Sequence, residues 1–328
     1  MSGAQLPLPQ WGRRLSDTIR DKLAEGDHAE ALRLIEHGDG QTKSLAKEYA
    51  LMYRGLGVTV RAILEALDMD SDATPEAGAA GLVHRFRGRL TEAMRRAWAE
   101  APPGPGPVGA PADEARACRE LLEWGERRFD HEQRELAEQV MDAVRSGQLA
   151  RGRELLDRKE AGQFVPLHDQ LLRMMAESFA FVFTEHGSDG LLRFHTEVAN
   201  AQRAGFDAWE AMSTREFAHA FTFLLKQHMG DVEVREEADR FVLEQHLCGS
   251  GGRMITDGAY TGPAALPSVP GNSALGAGRD VLPAYCSHCP AWNTHAPRRW
   301  YGHPHILFAD PARPNGACTL HIPKKDGE

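Results

Sequence analysis

The chain has 328 residues, 42% apolar and 26% charged, with a formal net charge of −9. This is a globular composition, of a length that suits two or three compact units. The acidic balance and the lack of a long Lys/Arg run argue against nucleic acid and anionic membrane as partners. No stretch approaches ~18 uninterrupted apolar residues, the length that reads as a membrane span.

The opening "MSGAQLPLPQWGRRLSDTIR" has no apolar core of signal-peptide length. The expected location is therefore the reducing cytoplasm, where clustered cysteines serve as metal ligands more often than as disulfides.

In chain order, residues 1–100 read as a first helical repeat and residues 116–231 as a second. The segment "DKLAEGDHAEALRLIEHG" from Asp21 is echoed by "DAVRSGQLARGRELLD" from Asp142. Gly26 aligns with Gly147, and Leu34-Ile35 with Leu155-Leu156. One inserted residue later, Gln41 aligns with Gln163, Leu45 with Leu167 and Met52 with Met174. This common order predicts an internal duplication. Each copy has an apolar face to cover, so the two should pack as one all-α unit. Leu167, Leu171, Leu172, Met175, Phe179 and Val182 follow the spacing of a buried helical stripe. The Pro/Gly-rich residues 101–115 read as the linker between copies.

From residue 232 the texture changes to short strands and loops, with too little periodic apolar sequence for a large core. Such a region needs a staple, and residues 232–328 hold four of the five cysteines. Cys286 and Cys289 form a C-x-x-C pair, which lets one turn offer two thiolates to one ion. Cys248 precedes a glycine, and Cys318 follows the turn "RPNGA". Four thiolates match the tetrahedral preference of zinc, and a closed four-ligand site is structural rather than catalytic. A histidine in place of Cys318 is the alternative. Cys118 stands alone in a helical stretch and should be an ordinary packed thiol.

Two other patterns compete. Cys286-Ser-His288 with Cys318-Thr-Leu-His321 resembles a Rieske iron–sulfur pattern, but lacks its loop glycines and leaves Cys248 and Cys289 unexplained. His195-Thr-Glu197 ahead of the C-x-x-C resembles the zinc deaminase pattern, with Tyr285 where proline is expected. Glu216 and His219 have the spacing of one half of a di-iron motif, without the second half.

"CGSGGR" could hold an anion, with Gly251 and Gly252 allowing close backbone approach and Arg253 pairing a carboxylate or phosphate. In the second repeat, His168-Asp169 stands where the first has Ala46-Lys47, a candidate catalytic pair. The loop 256–283 is long enough to be a lid. Together these features predict a mainly α protein: a duplicated helical unit, then a loop-rich, short-strand zinc-binding region. The expected function is a zinc-containing enzyme acting on a small anionic metabolite in a pocket between repeats and tail. A zinc-stabilised binding or regulatory protein is the alternative, and a catalytic three-cysteine zinc a third. Neither reaction class nor oligomeric state follows from the residues.

Overall fold

The computed structural model of the chain describes all residues except 1–5, 69–78, 99–110, 271–274, 277–278, 280, 310–317, 326 and 328. The chain is mainly helical, with a small antiparallel sheet toward its C-terminal end. It divides into two compact units: Met1–Leu6 with Arg13–Met174, and Pro7–Gly12 with Met175–Glu328. The division falls inside one long helix rather than at the residue 232 boundary expected from sequence.

The first unit opens with α1 (Leu15–Glu25) and α2 (His28–His37), then a 3-10 turn (Leu45–Lys47), α3 (Ala50–Asp68) and α4 (Ala79–Trp98). It continues through α5 (Pro111–Arg145), α6 (Leu149–Asp157), a π turn (Arg158–Phe164) and the start of α7 (Val165–Ala201). Pro111 opens α5, as suits a residue with no N–H to leave unsatisfied. The last five residues of the expected linker are thus helical, and residues 101–110 lie outside those described.

The turns expected at Gly26 and Gly147 are both present, each glycine taking a left-handed conformation (φ 78° and 73°) between two helices. A side chain there would meet nothing within 4 Å, so backbone freedom alone explains the glycine. Both helix–turn–helix segments feed one core: Leu15, Ile19, Leu23, Leu34 and Ile35 pack with Leu136, Val140, Val144, Leu155 and Leu156.

The second unit takes the remainder of α7, which is broken at Gly187 (φ 66°), then α8 (Arg203–Glu210) and α9 (Thr214–Gln227). Glu216 closes a capping box at the start of α9: Ser213 Oγ accepts from the Glu216 N–H, and the Glu216 carboxylate accepts from the Ser213 N–H. That role absorbs the residue that looked like half of a di-iron motif.

Strands β1 (Asp231–Glu236) and β2 (Arg240–Leu247) form a hairpin, followed by α10 (Gly251–Thr256). The expected lid is not structureless: β3 (Ser268–Pro270) pairs with β4 (Val281–Pro283). Then come a 3-10 turn (Ala284–Ser287), α11 (His288–Pro290), a π turn (Ala291–His295) and α12 (Ala296–Tyr301). The chain ends with β5 (Leu307–Phe308) and β6 (Cys318–Pro323).

The main sheet is antiparallel, in the order β1-β2-β6-β5. Arg240 pairs with Pro323 at one end of β2–β6 and Gln245 with Cys318 at the other. Phe241, Val242, Leu243, Leu320 and Ile322 are buried in it, and Trp11 stacks on Phe241 (6.1 Å between centroids).

Candidate functional site

The register of β2–β6 brings two cysteines to one end of the sheet. Cys318 opens β6 opposite Gln245, and Cys248 stands one residue past the end of β2. The turn carrying Cys286 and Cys289 meets them from another part of the chain. Gly251, after the Cys248 turn, lies so close to it that a Cβ there would be 2.7 Å from Cys286 Sγ. A Cβ on Gly249 would be 2.0 Å from the His228 carbonyl oxygen. Both glycines are therefore demanded by packing within the protein. Gly252 is buried beside them in α10.

Three of the four thiols are shifted by burial and by neighbouring sulfurs. Burial pushes Cys286 and Cys289 well above the usual thiol range, and neighbouring sulfurs, Cys248 and Cys318 among them, push further. Burial and Cys248 also raise Cys318, against the opposing effect of Arg279. Arg279 is buried and donates from Nη2 to Cys318 Sγ at 3.3 Å. Cys118, by contrast, is a lone packed thiol, pushed up to about 12 by burial.

The sulfurs share a region rather than a closed shell. Among the described residues, the three-donor grouping within 4.8 Å is Glu233, Glu244 and His246 on the β1–β2 hairpin. Arg235 already donates to Glu244 there at 3.0 Å.

Two histidines pack around the C-x-x-C turn. His288, between the two cysteines, places Nδ1 2.5 Å from the Tyr285 carbonyl oxygen and Nε2 3.5 Å from Cys289 Sγ. Burial pushes its pKa down to about 4, against the pull of that carbonyl. His195 on α7 is fully buried, with Nε2 2.8 Å from Ser287 Oγ. Ser287 donates its own proton to the Ala284 carbonyl, so His195 is the donor between them and its Nδ1 carries the lone pair. Burial holds His195 well below the usual range, hence neutral at pH 7. Phe179, Tyr285 and Trp292 surround the two imidazoles.

The competing patterns do not fit this geometry. Cys318 and His321 are three apart on a strand, so they face opposite sides of the sheet and cannot share one cluster. His195 spends its ring proton on Ser287, which anchors the turn.

Arg253 is half-buried in α10, and its backbone N–H closes the Cys248 turn by donating to the Cys248 carbonyl at 2.9 Å. His168 and Asp169 lie in the other unit. His168 is buried, with Nδ1 2.8 Å from the Asp169 carboxylate and its ring 5.2 Å from Phe164.

That unit also holds a buried ionic network that sequence reading missed. Lys159, on the π turn, is wholly buried, 3.6 Å from the Glu48 carboxylate and 4.4 Å above the Tyr49 ring. Burial pushes Lys159 down and Glu48 up, each toward its neutral form, and their mutual attraction opposes this. Glu160 accepts from Ser16, Tyr49 and Arg20. Burial would raise its pKa, but Arg14, Arg20 and these hydroxyls hold it below the usual carboxylate value. In sequence, neither Lys159 nor Glu160 carries a signal of the π turn that turns both inward.

Compared with known proteins, the chain matches no family model, no curated protein and no solved structure, so its function is argued from these groups alone.

Proposed function

We propose that the second unit is organised by one structural zinc ion held by Cys248, Cys286, Cys289 and Cys318. The observation that carries this reading is Arg279. Its guanidinium is buried, and among the described residues its hydrogen-bond acceptor is the Cys318 sulfur. Neutral thiols would leave that charge uncompensated, which is costly in a protein interior. A zinc tetrathiolate carries a net negative charge and supplies the missing counter-charge. Buried thiols of raised pKa give up their protons to a bound cation.

With four protein ligands the ion keeps no open position, so it acts as a staple. Arg253, tied by its backbone to the Cys248 turn, supplies the cation for a small anionic metabolite. The function that follows is a zinc-stapled protein of small-anion metabolism. Turnover, if it has any, falls to groups other than the metal.

Elemental analysis of the purified full chain tests the first part. About one zinc per chain is expected; iron with acid-labile sulfide, or a metal-free chain of unchanged stability, would overturn it. Thermal shift with inorganic phosphate and a dicarboxylate tests the second. Arg253→Ala should lose the anion-induced shift while keeping its zinc, and an unchanged shift would remove the anion from the proposal.

A further inference from the structure

In the first unit, an amine and a carboxyl are buried in contact. Lys159 is wholly buried and Glu48 nearly so, and Lys159 Nζ lies 3.6 Å from Glu48 Oε2. That is contact distance rather than hydrogen-bond distance. Among the described residues, Nζ has no hydrogen-bond partner.

The carboxyl is held at its other oxygen. Glu48 Oε1 accepts from the Ser16 backbone N–H at 2.9 Å, and the Ser16 hydroxyl lies 3.3 Å from the same oxygen. Ser16 is the second residue of α1, so its N–H has no partner within the helix and is free for this task. A fixed N–H on a carboxyl oxygen stabilises the negative charge that gathers there when a nucleophile adds to the carbon. Nζ stands 4.4 Å over the Tyr49 ring, and Gln133 Nε2 donates to the Lys159 carbonyl at 3.4 Å. Tyr49 is itself wholly buried and stacks on Phe164 at 4.2 Å, so the pair lies against aromatic carbon rather than solvent. Burial biases both groups toward amine and carboxylic acid, and Glu160 adds to that bias at Glu48. These are the forms that react with each other.

We propose that Lys159 and Glu48 join covalently in the folded chain, as an isopeptide bond between the π turn and the segment before α3. The freshly folded chain holds the two as a pair, and the bond follows slowly. Nζ passes one proton to Oε2 and adds to the Glu48 carboxyl carbon, while charge gathers on Oε1 beside the Ser16 N–H. A second proton passes from Nζ to Oε2. The bond from carbon to Oε2 then breaks, and Oε2 leaves as water. Ammonium and carboxylate have become one amide and one water, and no electrons change hands. Fixed contact takes the place of an activating group, since well-oriented pairs reach effective molarities of about 10⁵–10⁸ M. A site that excludes water also protects the bond from hydrolysis. The bond is independent of the zinc reading, because Ser16, Glu48 and Lys159 all belong to the first unit.

Mass spectrometry of the full chain, purified, aged at pH 7 and digested with trypsin, tests the proposal. The aged chain should contain a species lighter than its sequence by one water. The digest should contain a branched peptide that joins Glu48–Arg54 to Lys159–Arg173. Lys159→Arg keeps the cation and removes the amine, so it should yield the two segments in linear form only, with far-UV circular dichroism checking its fold. Wild-type chain aged in urea should do the same, and serves as the control if the variant does not fold. Recovery of both segments only in linear form from the folded wild type would overturn the proposal. So would a branched peptide formed equally in urea, since it would take the folded geometry out of the reaction.

Discussion

Lys159→Met removes a wholly buried charge and keeps most of the side-chain volume. Lys159 lies 3.6 Å from Glu48, whose carboxylate is equally sequestered, so the substitution strands an anion. Breaking a buried pair from one side typically costs about 3–5 kcal/mol. Here the cost has a ceiling, because Glu48 can take up a proton instead. Protonating a carboxyl of ordinary pKa ~4.3 at pH 7 costs about 3.7 kcal/mol, and at pH 5 only about 1 kcal/mol. The sign follows from linkage. In the variant, Glu48 is protonated when folded and ionised when unfolded, so the folded state binds the extra proton and stability falls as pH rises.

Lys159→Met should therefore lose about 3–4 kcal/mol at pH 7 and about 1 kcal/mol at pH 5, by urea unfolding of the full chain. Adding Glu48→Gln should recover most of the loss at pH 7. A loss of the same size at both pH values would refute the reasoning, since it would show that Glu48 stays ionised without Lys159.

His195→Gln keeps a donor for Ser287 and removes a titrating group. The wild type should lose stability as pH falls below ~6.5, where unfolded His195 gains a proton that the folded form refuses, by up to about 1.4 kcal/mol per pH unit. The variant should show a shallower fall in denaturant titrations, and an identical profile would contradict a neutral His195. Gly249→Ala must displace backbone, since its Cβ would lie 2.0 Å from the His228 oxygen, and it should speed zinc extraction by a chelator. Gly26→Ala meets no neighbour and should lose only about 1–2 kcal/mol, the cost of a left-handed alanine, with zinc extraction unchanged.

The helical character of the first 230 residues was legible because periodicity and turn glycines are local. Leu167, Leu171, Leu172, Met175, Phe179 and Val182 are all buried as their spacing implies. The unit boundary was not legible. Helical periodicity continues unbroken through Met174 and Met175, and what assigns the later residues to the second unit is their packing. Phe179 lies against Tyr285, His288 and Trp292, more than a hundred positions away. At the candidate site, scarcity and spacing singled out four cysteines, and the fold brings their segments into one region. Arg279 gave no signal, because an arginine in a Gly-rich stretch looks solvated. His288 was in view, but its burial between Tyr285 and Trp292 follows from packing that the sequence does not display.

On the zinc reading proposed above, chelation should open the second unit more than any single core substitution would. Its main sheet ends in a two-residue edge strand, β5, and its second sheet is a single three-residue pair, β3 with β4, marginal on its own. The thiols join three segments across long stretches of chain. From Cys248 to Cys286 is 286 − 248 = 38 residues, and from Cys289 to Cys318 is 318 − 289 = 29. Treated as cross-links, loops of these lengths restrict the unfolded chain by about 3–4 kcal/mol each. Their sum is comparable with the whole stability of an ordinary domain, about 5–15 kcal/mol. Chelation should therefore release α10 and β6 together, seen as coincident gains in amide exchange over 248–256 and 318–323. The helices of the first unit should keep their protection. Exchange that rises in only one of the two tail segments would refute a single ion joining them.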